Sequence, residues 1–185
     1  MSLRTRLIDL LYRAATGTRR FRTLATPLGA LVFFTLITLM ILLFLRMDRW
    51  WHLPALPGRP WNLIVSLPLL VAGVILAVWS ILQFARARGT PVPLNPPPKV
   101  VKTGPYAYVR NPMLTGGFLQ IFGFGILVRS VSLTFLFTPL FILLNVLELK
   151  AIEEPELAKR LGEEYIEYRK QTPMFFPRWK RRRPG

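Results

Sequence analysis

A run of polar and conformationally special residues, 104–117, stands directly before a strongly apolar stretch. Arg110 and Asn111 lie in its middle, with two tyrosines before them and Pro112 after them. A guanidinium can hold a carboxylate through paired N–H groups, and an amide offers both a donor and an acceptor. Polar groups at the edge of an apolar span are costly unless they are paired or functional. This run is therefore the leading candidate for a binding site.

A second polar group follows the next two apolar runs. The three-and-four spacing of a helix predicts that Asn145, Glu148 and Glu153 approach a common side, with Glu154 beside them. We expect Arg110 to stand opposite these carboxylates. An alternative interpretation needs no ligand: charged side chains at a membrane interface pair with each other, and Asn145 makes a hydrogen bond between helices.

The composition is that of a membrane protein. Of the 185 residues 52% are hydrophobic, and the formal net charge is +16. The apolar residues form long blocks with the charges between them, a pattern that a soluble core of this size does not need. The absence of cysteine and the presence of one histidine argue against thiolate chemistry and against a metal site. The basic residues flank apolar blocks, so we expect membrane lipids as partners and no nucleic acid.

The apolar blocks predict an all-α fold, a polytopic membrane helical bundle within a single domain, 1–185. Four blocks are predicted to be transmembrane helices, the third of them short. They are 27–45, 62–84, 113–128 and 133–149. Within segment 1–24, leucines and arginines recur at helical spacing from Ser2 to Thr16, which predicts an amphipathic helix in the membrane interface that ends at Gly17. Leu157, Leu161, Tyr165 and Tyr168 predict a cytoplasmic helix after the last span.

The positive charges predict the orientation. Of the 25 Lys and Arg residues, 21 lie before the first span, between the second and third spans, or after the fourth. The positive-inside rule then places both termini and segments 85–112 and 150–177 in the cytoplasm. If the chain is bacterial, the membrane is the inner one. Residues 178–185 form a polybasic tail suited to contact with lipid headgroups.

A family resemblance is carried by an ordered set of motifs on either side of the last apolar hairpin. The motifs are Gly104-Pro105-Tyr106, Tyr108, Arg110-Asn111-Pro112-Met113, Gly116, Glu153-Glu154, Leu157, Gly162, Tyr165, Tyr168 and Pro173. With these motifs, residues 99–177 resemble the isoprenylcysteine carboxyl methyltransferase and phospholipid methyltransferase superfamily of integral membrane enzymes.

The resemblance implies an S-adenosylmethionine-dependent enzyme with the cofactor held between the two polar segments. The cofactor-binding residues that it implies are Gly104, Pro105, Tyr106, Arg110, Asn111, Pro112, Glu153 and Glu154. Arg169 corresponds to an arginine that the family places near the reacting group. We expect Asn145 and Glu148 to contact the substrate. By charge type, Arg110 suits the cofactor carboxylate and the glutamates suit its ammonium group.

The chain departs from the best-known members at two positions. Asn111 replaces a histidine and Leu114 replaces a tyrosine of the Arg-His-Pro motif. Asparagine can position a cofactor but cannot act as a general base near neutral pH. We therefore expect an acceptor that is already nucleophilic.

The expected function is methyl transfer to a lipophilic acceptor, a lipid or a prenylated substrate, at the cytoplasmic face, most simply O-methylation of an isoprenylcysteine-type carboxylate. A phospholipid N-methyltransferase is an alternative within the same chemistry. A non-catalytic membrane scaffold with the same fold and a fold-related membrane reductase are the alternatives outside it.

Overall fold

The structure, a computed structural model, describes residues 3–90 and 96–177. These residues form helices and no strand, in agreement with the predicted all-α membrane bundle. The helices are α1 (Leu3–Thr16), α2 (Arg19–Trp50), α3 (Trp61–Arg86), α4 (Pro112–Leu127), α5 (Leu133–Leu161) and α6 (Glu163–Gln171). A short 3-10 turn, Gly104–Ala107, precedes α4. The predicted polybasic tail, 178–185, lies outside the described residues.

Within the described residues, three helices are long and apolar enough to cross a membrane. They are α2, from Thr23 to Trp50, α3 and α5. Helix α4 is apolar but has 16 residues, so it extends about 24 Å, less than a hydrocarbon core of about 30 Å. The predicted third span, 113–128, is therefore present as a helix and is short, as its sequence indicates.

The predicted N-terminal helix is present as α1, which ends at Thr16, directly before Gly17. The last residues of the segment 1–24 belong to α2, which begins at Arg19. The hydroxyl of Thr18 accepts a hydrogen bond from the backbone N–H of Phe21 and so caps α2, which runs well beyond the predicted 27–45.

The last span also differs from the prediction, because α5 continues beyond 149. A π-helical turn, Leu149–Glu153, carries it through the charged residues: the N–H of Glu154 donates to the carbonyl of Leu149, five residues earlier. The predicted cytoplasmic helix is divided instead at Gly162, whose φ of 62° is a left-handed conformation that suits glycine. Leu161 and Tyr165 therefore belong to different helices.

Glycines allow α3 and α4 to pack closely. Gly73 and Gly116 face each other, and a Cβ atom on either would lie 2.7 Å from the other's carbonyl oxygen. A Cβ atom on Gly125 would lie 2.5 Å from the hydroxyl oxygen of Thr134, near the start of α5. This packing fixes α4, and the polar run before it, against the C-terminal half of α3.

The described segments separate into two ends of the bundle. At the turn end, the Asp48 carboxylate accepts hydrogen bonds from the Ser130 hydroxyl and from the Ser132 N–H, and so caps the start of α5. At the other end, which we call the site end, lie α1, residues 96–111 and residues 153–174. These are segments for which the charge pattern predicts a cytoplasmic location.

Candidate functional site

Two segments meet at the site end. We call residues 96–111 the first arm and residues 153–174 the second arm. The first arm leads from α3 into α4, and the second arm follows the π turn of α5. Each predicted cofactor-binding residue lies in one of these arms, except Pro112, which begins α4 and is fully buried.

The first arm is fixed to the end of α3 by its 3-10 turn. Gly104 has a φ of 61°, and a Cβ atom there would lie 2.6 Å from the Gln83 side-chain nitrogen. The Thr103 hydroxyl donates to Oε1 of Gln83 at 2.9 Å. The Tyr106 ring packs edge-on against Phe84, with 5.1 Å between centroids. Glycine is therefore needed at 104 both for its backbone conformation and for this close approach.

Three buried tyrosines line the contact between the arms. The Tyr168 hydroxyl donates to the backbone carbonyl of Tyr106 at 2.7 Å, and Tyr165 lies beside Tyr168. Burial raises the pKa of all three phenols well above the usual range. The phenols therefore stay neutral near pH 7 and join the arms by packing and hydrogen bonding.

Arg110 is the electrostatic centre of the contact. Its Nη2 lies 2.5 Å from Oε1 of Glu154, and both side chains are about nine-tenths buried. Its Nη1 donates to the carbonyls of Arg169 at 2.9 Å and Thr172 at 2.5 Å. The other oxygen of Glu154 lies 3.7 Å from Nη1 of Arg169. The buried Nε of Arg110 has no hydrogen-bond partner among the described residues.

Backbone hydrogen bonds continue the contact next to Arg110. The N–H groups of Arg110 and Asn111 donate to the carbonyls of Pro173 and Met174, at 2.8 Å and 3.1 Å. The carbonyl of Asn111 accepts from the N–H of Thr115, so Asn111 is also the residue from which α4 begins. The Asn111 amide approaches the Met174 carbonyl only at 3.5 Å, a weak contact that a ligand can replace.

One further ion pair and one hydrogen bond join the arms away from the centre. Lys102 pairs with Glu164 at 3.1 Å, and both are exposed. Arg160 pairs with Glu156 at 2.8 Å, and its Nη1 donates to the Pro97 carbonyl at 3.2 Å. The first arm is thus attached to the second along most of its described length.

Of the carboxylates expected opposite Arg110, Glu154 is the one that lies beside it. Glu154, not Glu153, pairs with Arg110. Helical spacing across 145–153 assumes an uninterrupted α-helix, whereas the π turn inserts an extra residue and rotates the residues after it. The Asn145 side chain donates to the Phe141 carbonyl of its own helix, and Glu148 is exposed. These two residues do not join the ion-pair centre.

Glu153, unlike Glu154, has no ion-pair partner in the described part of the chain. Among the described residues, it forms no ion pair or hydrogen bond. Three carboxylates, of Glu148, Glu156 and Glu154, and one guanidinium, of Arg160, act on it electrostatically. It lies next to the Arg110 centre along the chain. An unpaired carboxylate among other carboxylates favours a cationic group beside it.

Sequence reasoning did not identify Gln83 and Arg160 as site residues. Gln83 is buried at the end of α3 and holds the first arm, and Arg160 holds both Glu156 and the first arm. A signal for Gln83 exists in the sequence, because an amide in the last turn of an otherwise apolar span is costly without a partner. No group of three or more side chains suited to a metal ion occurs within 3–90 and 96–177.

Comparisons with known proteins give a family match and a similar protein. A model of the phospholipid methyltransferase family matches residues 61–164. The chain is also similar to the nickel-cobalt-cadmium resistance protein NccN of Alcaligenes xylosoxydans xylosoxydans, with 32% identity over 80 residues. That match covers 43% of this chain and 37% of the length of that protein. No solved structure gives a significant match.

The fold and the two arms define the class: an integral membrane helical bundle with a polar site built at one end of its spans. The family match covers more than half of the sequence and extends from α3 into the second arm. The chain belongs to the phospholipid methyltransferase family. Membership supports a methyltransferase activity in general.

The arms fit S-adenosylmethionine by charge type. Its amino-acid portion carries a carboxylate and an ammonium group. The arms contain one buried guanidinium N–H without a partner, at Arg110, and, apart from the exposed Glu163, one unpaired carboxylate, at Glu153. The two residues border the same ion-pair centre through Glu154. The donor and acceptor set is therefore of the kind that a zwitterionic ligand requires.

Proposed function

We propose that this protein transfers a methyl group from S-adenosylmethionine to a lipophilic acceptor at the cytoplasmic face of the membrane. The observation that carries the proposal is the Arg110–Glu154 ion pair, which joins the two arms that the family resemblance implies for the cofactor. When bound, the cofactor supplies a methyl group on a sulfonium, already activated toward a nucleophile. The chain then has to orient the reactants and exclude water.

The proposed cofactor contacts divide between binding and positioning residues. Glu153 binds the ammonium group, the Nε of Arg110 donates to the carboxylate, and the Asn111 amide binds an edge of the adenine. Glu154 acts as a positioning residue, since its two oxygens already face Arg110 and Arg169. Tyr106 is buried and holds its arm against α3.

Gly104, Pro105 and Pro112 shape the backbone of the first arm. The left-handed Gly104 opens the 3-10 turn, buried Pro105 stands in its first part, and buried Pro112 begins α4. We propose that they act through backbone shape, because glycine and proline offer no side-chain hydrogen bond to a cofactor.

Arg169 is the proposed residue at the reacting group. Its side chain is 41% exposed, and its Nη1 lies 3.7 Å from Oε2 of Glu154. The guanidinium can therefore contact an anionic acceptor while it stays near Glu154. Asn145 and Glu148 are proposed substrate contacts on the last turns of α5 before the π turn. Glu148 is exposed, so it is accessible to an acceptor.

An isoprenylcysteine-type carboxylate is the acceptor that this chemistry favours. A carboxylate is already a nucleophile, whereas a protonated amine must first lose a proton. The tyrosines of the arms have raised pKa values because they are buried, Glu154 is held in ion pairs, and Glu153 is assigned to the cofactor ammonium group, so none of these side chains is left to take that proton. The description of the matching family favours a second candidate, phospholipid N-methylation.

An experiment with methyl-labelled S-adenosylmethionine distinguishes the two candidate acceptors. Membranes containing the protein are incubated with the labelled cofactor, and the products are treated with base. A methyl ester releases volatile label, whereas N-methylated phospholipid retains it in the lipid fraction. Volatile label that depends on Arg169 supports the carboxylate proposal, and label retained in phospholipid supports the second candidate. Absence of transfer to either fraction contradicts both.

The proposed orientation places the site end in the cytoplasm. The described basic residues of α1, the first arm and the second arm lie at that end, and the positive-inside rule favours the cytoplasmic side for them. In this orientation the polar cofactor enters from the cytoplasm and the lipophilic acceptor enters from the bilayer.

A further inference from the structure

Helix α1 is attached to the second arm by polar contacts. Asp9 pairs with Lys159 at 2.8 Å, and the Lys159 ammonium also lies 4.6 Å from the centre of the Tyr12 ring. Arg4 donates through Nε to the carbonyl of Ala151 at 2.8 Å. Ala151 lies in the π turn and Lys159 in the helical turns after it, so α1 contacts α5 on both sides of the Glu153-Glu154 pair.

The outer side of α1 carries a row of exposed leucines. Leu3, Leu7 and Leu10 are 75%, 38% and 64% exposed. At about 100° per residue they lie within about 60° of one another around the helix. Arg6 and Arg13 are exposed and flank this row on one side, whereas Ala15, on the side of α1 that faces the protein, is buried.

The position and charge of this face indicate what covers it. Two residues separate α1 from α2, whose apolar span begins at Thr23, so α1 lies at the level of the membrane boundary. A helix with an apolar row flanked by arginines suits the interface of an anionic membrane. Three leucines expose far less than the roughly 800 Å² that each partner of a stable protein interface buries, so a second protein is a poorer fit.

We propose that the Leu3–Leu7–Leu10 face of α1 binds the headgroup region of anionic phospholipid, and that this contact restrains the Glu154–Leu161 segment through Asp9 and Lys159. The site end then has its full order only on an anionic membrane surface. The proposal concerns lipid binding and local order, so it can be tested without the methyl-transfer reaction.

The first test uses the absence of cysteine from the chain. An environment-sensitive fluorophore is attached to Leu10→Cys or, as the matched control on the polar side of α1, to Thr16→Cys. The full-length protein is placed in nanodiscs of phosphatidylcholine alone or mixed with phosphatidylglycerol. We expect an apolar environment at position 10 in the anionic discs, a more aqueous one in the zwitterionic discs, and an aqueous one at position 16 in both.

The double variant Arg6→Gln, Arg13→Gln tests the charge. At about a fivefold change in binding for each basic residue near an anionic surface, it should shift the equilibrium of α1 by up to about thirtyfold toward the form released from the membrane in anionic discs. Identical signals at positions 10 and 16 would overturn the proposed surface. Identical signals for position 10 in the two lipid compositions would overturn its specificity for anionic lipid.

The link to the second arm is tested by hydrogen exchange. In anionic discs, Asp9→Asn should accelerate exchange of the Glu154–Leu161 amides about two- to fivefold, the range expected for loss of an exposed ion pair. Glu167→Gln, which removes an exposed pair on α6, is the control and should leave these amides unchanged. Unchanged exchange in Asp9→Asn would overturn the link. None of these readouts depends on cofactor binding, so their failure is distinct from a failure of the proposed function.

Discussion

At the scale of single residues, the Arg110–Glu154 pair is the contact on which the site depends. Both side chains are about nine-tenths buried. Removal of either partner therefore leaves the charge of the other buried without its counter-ion. The neighbouring Arg169 lies farther away, at 3.7 Å, and is more exposed. The ion pair therefore joins the arms far more strongly than the exposed pairs do.

Arg110→Gln should lower the free energy of unfolding by about 3–5 kcal/mol, the usual cost of breaking a buried pair. Adding Glu154→Gln should restore part of that loss, because no uncompensated carboxylate remains. The measurement is denaturant or thermal unfolding in detergent. Lys170→Gln, which removes an exposed pair on α6, should cost less than about 1 kcal/mol. Equal losses in Arg110→Gln and Lys170→Gln would contradict the proposed role of Arg110.

The buried tyrosines predict a loss of stability in alkali. Each phenol has a folded-state pKa above its unfolded value near 10, so the folded protein holds more protons there and stability falls as pH rises above about 10. Below that pH the contribution is fully present. Tyr168→Phe should reduce the slope by up to about 1.4 kcal/mol per pH unit, as measured by unfolding between about pH 8 and 11.

At the scale of elements, the close packing of α3 on α4 holds the first arm in place. Gly116 and Gly117 are neighbours in α4 with opposite environments: a Cβ on Gly116 would lie 2.7 Å from the Gly73 carbonyl, whereas one on Gly117 would meet nothing within 4 Å. The two positions form a matched pair for testing this packing.

Gly116→Ala should destabilise the protein by about 1–3 kcal/mol, because the backbone of one helix has to move. Gly117→Ala should be neutral or stabilising by up to about 1 kcal/mol, since alanine is the better helix former. Thermal unfolding of both variants in the same detergent checks the pair. A loss in Gly117→Ala as large as that in Gly116→Ala would show that helix packing is not the cause.

The sequence was sufficient to predict an all-α membrane bundle, because long apolar blocks are visible directly in its hydropathy. It also indicated both arms, through the residue types that stand at the edges of those blocks. It could not predict the π turn at Leu149–Glu153, since the choice between α and π hydrogen bonding depends on tertiary contacts. For that reason the sequence left open which of Glu153 and Glu154 lies beside Arg110.

At the scale of the whole molecule, the described contacts separate a site end from a turn end, and the positive charges predict which side each faces. Single cysteines in the cysteine-free chain test the orientation. A membrane-impermeant maleimide should label Arg59→Cys, near the turn end, in intact cells, and should label Lys99→Cys only after permeabilisation. Both positions are exposed. The opposite pattern would contradict a cytoplasmic site end.

The central claim is that the two arms form one S-adenosylmethionine site. The most direct test is calorimetric titration of the purified protein with S-adenosylhomocysteine, the product form of the cofactor, for the wild type, Glu153→Gln and the control Glu167→Gln. Loss of a hydrogen bond to a charged group predicts binding about 10- to 100-fold weaker in Glu153→Gln. The wild type and Glu167→Gln should show the same saturable binding. No saturable binding by the wild type, or equal affinities in all three proteins, would contradict the claim.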